Sequence, residues 1–518
     1  MRATIRGGLS AATAIVALLL GACAPGPKAL VESSSASTTA QMLAADVCRR
    51  ALASALKQMT SGELAEGYPA LIDAIQSPAF EQLKSAERHA ALLVGGLAAV
   101  ELDKVAEAHP LFVRSSAMPE ADGDDWLGRL QTAYDLDKRE DAIQSLTQLG
   151  RHWPEKLQEL HFRVVSEIVR NAHQVPAGEP MLYAVLDSLY VAKWTLPDST
   201  EPSGMWRDLA ALELDRQHFA RAQEIMSRVQ SPHVVVSMRI DRRFDRLREA
   251  VPQYFDVDAA VANELAMMRA IVQRSPRSLD AVVQLTYSML SAGLYDDVLA
   301  TTAAVMGKIK GVSAKVAPYD DMEKQIWILD NRARALAATQ RWSEAEAEVR
   351  AAADRTEDGH PNVSNIINLA WFYAEAGRGD AALAALRNLG QDVSPFGLMQ
   401  MHAARHAAAL QKGDVGIANE SFAYLDKHRN DAPETWQWTL VCANRLDEAA
   451  ALLIERLGNP VLRSEALDDL QDYTNPQPAS QRAVWNARWA EIKNRPDVRR
   501  AIDAVGRIES FRIPQEIS

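Results

Sequence analysis

Trp126 to Pro154 reads W-L-G-R-L-Q-T-A-Y-D-L-D-K-R-E-D-A-I-Q-S-L-T-Q-L-G-R-H-W-P. Ala142 follows Trp126 by sixteen residues, Leu146 comes one helical turn after Ala142, and Pro154 ends the stretch. The spacing predicts two helices that cross closely. The first presents a large residue. The second must approach it, so its contact position is a small Ala, and Leu146 fills the gap one turn on. Proline stops the second helix because it lacks an N–H and clashes with the preceding turn.

The same arrangement recurs along the chain. Trp206, Leu209 and Ala210 precede Ala222 and Met226 with the same sixteen-residue offset. Ile366, Leu369, Ala370 and Tyr373 lead to Gly377, Ala382 and Leu386, with Pro395 beyond. Leu329, Ala333 and Leu336 lead to Ala345 and Val349. Val282, Leu285, Met289, Gly293, Val298 and Thr302 make a weaker copy. Shorter fragments stand at Gly62-Gly67-Leu71, Ala108-Phe112-Pro119, Gly413-Ala418-Phe422 and Trp438-Ala450-Ile454.

Through these residues the chain resembles the tetratricopeptide repeat family over most of residues 43–460. The resemblance implies an all-α fold, an α-solenoid or superhelix of stacked helix-turn-helix repeats with a concave groove lined by the first helix of each repeat. Mapped onto this sequence, it places Tyr287, Arg334, Trp371 and Glu375 on the groove side as partner-binding residues. Trp371 is the leading anchor, since aromatic and arginine side chains dominate interface energy. Some family members grip a C-terminal carboxylate with paired Lys and Asn. The matching positions here are Val283 and Tyr287, Asp330 and Arg334, and Ile367 and Trp371, so that clamp is missing.

Two stretches break the repeat register. Leu157 to Trp194 reads as two longer helices, followed by P-D-S-T-E-P-S-G at Pro197–Gly204, a candidate break. Met238 to Val257 contains R-I-D-R-R-F-D-R-L-R-E. Its arginines could receive an acidic partner, but interleaved carboxylates favour a solvated, salt-bridged helix. The expected organisation is a signal peptide at 1–22, a flexible tether at 23–42, helical segments at 43–200 and 201–460, and a C-terminal helical cap at 461–518.

The tether begins at a cysteine. Arg2 and Arg6 precede an apolar run from Leu9 to Leu20, too short for a spanning helix of roughly 20 residues. Leu20-Gly21-Ala22-Cys23 resembles the bacterial lipobox. That resemblance implies cleavage before Cys23, lipid on Cys23, and a protein held at the outer membrane facing the periplasm, since Ala24 rather than aspartate follows. Ala24 to Gln41 is rich in Ser, Thr, Pro and Gly and lacks a buried face, which predicts a flexible segment.

The chain of 518 residues carries a net charge of −12, and removing residues 1–22 with their two arginines takes it to −14. An acidic chain without a polybasic stretch has no general attraction for nucleic acid. Besides Cys23, the cysteines are Cys48 and Cys442, read as two buried apolar residues.

No catalytic, phosphate-binding or metal motif stands out, so no cofactor or metal is expected and the chain is read as non-enzymatic. Gly397-Leu398-Met399-Gln400 resembles a tetrapeptide of lytic transglycosylases, but Glu420-Ser421 and Glu509-Ser510 follow it where the family's catalytic Glu precedes it. It reads as the start of a repeat helix. His402 and His406, at i and i+4, lack further ligands and read as structural.

The expected function is a lipid-anchored periplasmic scaffold that binds another envelope protein or peptide in its groove. The alternatives are a peptidoglycan-active enzyme, with Glu375 or Glu420 as the acid, and a glycan or small-ligand receptor using Trp371 and Tyr287.

Overall fold

The computed structural model describes residues 36–172, 175–176, 178–196, 199–311, 317–357, 360–389 and 393–515. The signal peptide, Cys23, the tether up to residue 35, and Pro197-Asp198 lie outside the described residues.

The chain divides into two compact units between residues 201 and 202, and helices dominate the described residues of each. In the first unit they are α1 (Ala36–Thr60), α2 (Leu64–Gln76), α3 (Ser85–Glu101), α4 (Val105–Ser116), α5 (Gly123–Asp135), α6 (Arg139–His152), α7 (Phe162–Asn171) and α8 (Gly178–Val191). Helix α1 starts inside the stretch read as tether. Its buried stripe of Cys48, Leu52, Ala55, Leu56 and Met59 fixes the later turns, and an Ala-rich segment extends an existing helix at little cost.

The second unit holds α9 (Ser203–Asp215), α10 (Phe219–Met226), α11 (Pro232–Ile240), α12 (Asp245–Ala250) and α13 (Val257–Arg274). Five hairpins follow: α14 (Leu279–Ser291) with α15 (Tyr295–Gly311), α16 (Gln325–Ala338) with α17 (Trp342–Ala353), α18 (Val363–Glu375) with α19 (Gly379–Leu386), α20 (Pro395–Lys412) with α21 (Val415–Lys427), and α22 (Pro433–Cys442) with α23 (Leu446–Gly458). Three helices close the unit: α24 (Arg463–Asp468), α25 (Ser480–Lys493) and α26 (Pro496–Val505).

The hairpins share one turn. A residue with positive φ follows the first helix, occupied by Asp103, Asp137, Gln217, Gly293, Gln340, Gly377, Gly413 and Asn444 among others. The next N–H reaches back to a carbonyl five residues earlier, as in Arg378 N to Tyr373 O and Lys138 N to Ala133 O, both 2.8 Å. This bond terminates the helix and sets the reversal.

Packing follows the motif residues. Ala142, Ala222, Ala345, Ala382, Ala418 and Ala450 are buried at the crossings, and Leu146, Met226 and Val349 are buried one turn on. Gly128 shows how close the approach is: a Cβ there would lie 2.4 Å from the Phe112 ring of α4. The chain is an all-α solenoid of helix-turn-helix repeats; among the described residues two short strand pairs occur, 356–357 with 360–361 and 472–473 with 510–511.

Two expectations change in the second unit. The arginine-rich stretch is no continuous helix, because α11 ends at Ile240 and Asp241 caps a single 3-10 turn. Arg242 and Arg246 are exposed, but several of its arginines reach distant partners. Arg239 and Arg248 grip Glu509 at 2.6 and 2.8 Å, Arg242 donates to Asp503 O, and Arg507 pairs with Asp245. Arg243 keeps the expected local pairing, with Asp241 at 2.7 Å, while the acidic partner of Arg239 and Arg248 is the chain's own later segment.

Residues 461–518 also do more than cover an end face. Helix α26 packs on α23 as a cap would. Helix α24, however, packs on α11, and residues 506–514 run along the start of the unit: Arg507 N donates to Ile240 O, and His233 Nε2 lies 3.0 Å from Pro514 O. Gly506 permits this, since a Cβ would fall 2.8 Å from Ile240 O.

Candidate functional site

The four residues expected to line the groove all stand on the first helices of hairpins in the second unit. Tyr287 comes from α14, Arg334 from α16, and Trp371 and Glu375 from α18; all four are partly buried. Arg334 Nε donates to Asp330 Oδ2 at 2.7 Å, and Asp330 Oδ1 accepts from Asn368 at 3.2 Å. Desolvation works against the Arg334 charge, but the Asp330 carboxylate, helped by Tyr287 and Glu375, outweighs it and holds its pKa above the ordinary value. Tyr287, Arg334 and Glu375 thus share one electrostatic neighbourhood.

Trp371 and Glu375 face a side chain layer that the repeat pattern does not contain. Helix α25 lies across α18 and α22. Its Trp485, 2 % exposed, receives Trp371 and Trp438 edge-on, with ring centroids 6.3 and 6.2 Å away. Such T-shaped pairs are favourable beyond the area they bury. Arg482 Nη1 donates to Glu375 Oε1 at 3.0 Å while its guanidinium covers the Trp438 ring at 4.2 Å. Arg488 Nη1 donates to Cys442 O at 2.7 Å and Val441 O at 3.1 Å. These carbonyls belong to the last turn of α22, which carries partial negative charge and attracts cations.

Behind this layer lies a set of ionisable groups. Trp489 Nε1 donates to Asp469 O, and buried Arg456 reaches Asp469 Oδ2 at 3.3 Å. Glu434 is open to water on one side and crowded by protein elsewhere. Desolvation, then the Asp469 and Glu465 charges, push its carboxyl up to about 8. Asp469 is raised too, first by desolvation and then by Glu465, against the pull of Arg456. Burial pushes the Cys442 thiol up, which leaves it an unreactive thiol at neutral pH.

The remaining sequence signals find structural places. Gly397-Leu398-Met399-Gln400 opens α20, with Ser394 Oγ capping Gly397 N at 3.1 Å. Glu420 pairs with Arg405, as Glu375 does with Arg482, so both carboxylates raised as acids are tied in ion pairs. His406 Nδ1 lies 2.9 Å from Ala418 O, and His402 stacks on Tyr424 at 4.0 Å. Cys48 and Cys442 are both buried free thiols. Among the described residues no group of three or more His, Cys, Asp or Glu is placed to hold a metal ion, and no helix is long and apolar enough to cross a membrane.

Sequence reasoning missed Arg482, Trp485, Arg488 and Trp489. Their spacing, R-x2-W-x2-R-W, repeats on one helical face, which was the available signal.

No family model matches the chain, and no curated protein does. Among solved structures it is similar to the Cut9–Hcn1 hetero-tetramer of the APC/C, at 14% identity and a TM-score of 0.31, covering 90% of this chain and 80% of that one. It is also similar to the TPR domain of P58(IPK), at 13% identity and a TM-score of 0.20, covering 80% and 99%. A third is Naa15/Naa10 bound to HypK, at 12% and 0.22, covering 82% and 71%. Likeness at these scores does not extend to function.

Proposed function

We propose that the chain is a lipid-anchored scaffold of the bacterial cell envelope, held by Cys23 at the outer membrane and facing the periplasm. It binds an envelope protein or peptide on the first-helix face of its second unit. The observation that carries this reading is that the face bearing Trp371 and Glu375 already holds a helix, through two tryptophan edges and an ion pair. A solenoid face built to seat a helix is a protein-recognition surface. Tyr287, Arg334, Trp371 and Glu375 are the proposed contacts, and the lipobox-like Leu20–Cys23 supports the location.

A photo-crosslinking residue at position 287, in cells expressing the chain with Cys23 or Cys23→Ser, tests both parts. The expected result is a small set of envelope-protein adducts that depends on Cys23, and a chain that leaves the outer-membrane fraction when Cys23 is replaced. Absence of adducts from the membrane-bound form overturns the scaffold reading; unchanged fractionation of Cys23→Ser overturns the anchor.

A further inference from the structure

We infer that the surface formed by Trp371, Glu375, Trp438 and the end of α22 is a docking site for a basic, tryptophan-bearing amphipathic helix, and that α25 is its resident occupant, exchanged for a partner helix of the same chemistry. This rests on the scaffold reading above and names the class of partner.

The seat selects cations and aromatic rings. It offers the Glu375 carboxylate, the carbonyls of Val441 and Cys442, and two indole rings. Helix C-termini repel anions, so an acidic helix is excluded. Helix α25 meets the seat with Arg482, Trp485, Arg488 and Trp489, one face of a helix and a sufficient set for helix-in-groove recognition.

Helix α25 is also held as a strap. Of its residues only Trp485 and Ile492 are buried, and Val484 is 45% exposed. Its two flanks are fixed independently: residues 472–473 pair with 510–511, and α26 buries Val498 and Ile502 against α23. Between the first flank and α25 lies T-N-P-Q-P-A, residues 474–479, without helix or strand. Exchange of α25 therefore leaves both flanks paired, but it pivots on the two-residue link 494–495 to α26 and breaks the Lys493–Asp472 pair and the Gln340 bond to Gln477 O.

The test uses the full chain in detergent and a fluorescein-labelled synthetic peptide of residues 478–495, read by anisotropy. Three proteins are compared: the natural chain, Arg482→Glu/Arg488→Glu, and that double variant with Glu375→Arg added. The double variant loosens the resident helix and leaves the seat intact. It is expected to bind the peptide about tenfold tighter than the natural chain, and the added Glu375→Arg is expected to abolish the gain. Equal binding by all three, or equal binding of a scrambled peptide, overturns the proposal. Concentration-dependent dimers of the double variant that take up no peptide also overturn it, assigning the seat to a second copy. Should the double variant fail to fold, hydrogen exchange of the natural chain decides: α25 amides are expected to exchange about tenfold faster than those of α22 and α26, and equal protection overturns the proposal. Crosslinks from position 287 without peptide binding would sink this inference alone; peptide binding without envelope crosslinks would sink the scaffold reading alone.

Discussion

Arg482 Nη1 stands 3.0 Å from Glu375 Oε1, joining α25 to the last residue of α18 across 107 positions of sequence. Both side chains keep about a third of their surface in water. A pair so placed contributes about 0.5–1 kcal/mol. A double-mutant cycle with Glu375→Gln and Arg482→Gln, measured by urea unfolding, should return a coupling of that size. A coupling near zero would mean that the Trp438 contact, rather than the carboxylate, holds Arg482.

Trp485 carries more. Buried between two indole edges, it should cost about 3–5 kcal/mol on replacement by alanine. Near-ultraviolet circular dichroism should lose the signal of the coupled tryptophans. Unchanged stability would show that α25 contributes nothing to the second unit.

Glu434 predicts a pH dependence. Its carboxyl is pushed up to about 8, first by desolvation, so the folded state holds a proton that the unfolded state releases near its ordinary value. The stabilisation is complete below about pH 4.5 and fades as pH rises towards 8. Glu434→Gln should remove this fall and raise the melting midpoint at pH 8 by about 1–2 °C, a small effect because water screens one side of the group. A lower midpoint at pH 8 would show that the charge is needed.

In the first unit the sign comes from a histidine. His89 Nε2 lies 2.8 Å from Asp125 Oδ2, and Asp125 is wholly buried while also accepting from Asp122 N. The hydrogen bond to Asp125 outweighs desolvation and raises the His89 pKa. The pair's stabilisation is full below about pH 6.5 and is lost as pH rises through the higher folded value. His89→Gln should flatten that slope. Asp125→Ala, which also removes a helix cap, should cost about 2 kcal/mol at pH 6. Melting curves between pH 5.5 and 8.5 check both.

Gly128 tests the repeat geometry itself. A methyl group there would meet the Phe112 ring at 2.4–2.7 Å, so Gly128→Ala should destabilise by about 1–3 kcal/mol. Adding Phe112→Leu, which removes ring atoms from the contact, should recover part of the loss. Denaturant unfolding of the single and double variants measures it.

Much of the fold was legible because crossing helices impose small residues at fixed offsets, and Ala142, Ala222 and Ala382 obey that rule. The turn was harder to read. Glycine marks the positive-φ position at Gly293, Gly377 and Gly413, but Asp103, Asp137, Gln217, Gln340 and Asn444 occupy it elsewhere, held there by the bond that closes the helix end. Tyr287, Arg334, Trp371 and Glu375 lie on the first helices α14, α16 and α18, as the repeat register requires of them. For α25 the spacing R-x2-W-x2-R-W marks a helical face, but contacts such as Trp371 with Trp485 join residues more than a hundred positions apart, so nothing local tells which surface that face packs on. Arg239 and Arg248 misled for the same reason: nearby carboxylates suggested local pairing, while Glu509 lay 270 and 261 residues away.

Repeat arrays lengthen and shorten in evolution because each hairpin touches only its neighbours. The second unit has given up that freedom. Gly506, Arg507, Glu509 and Pro514 must reach Asp241, Ile240, Arg239 and His233 at one distance only. Duplication or loss of a single hairpin between α13 and α23 would carry one set away from the other. The number of hairpins in this unit is therefore a fixed property of the protein, and insertions should accumulate in its loops, not as added repeats.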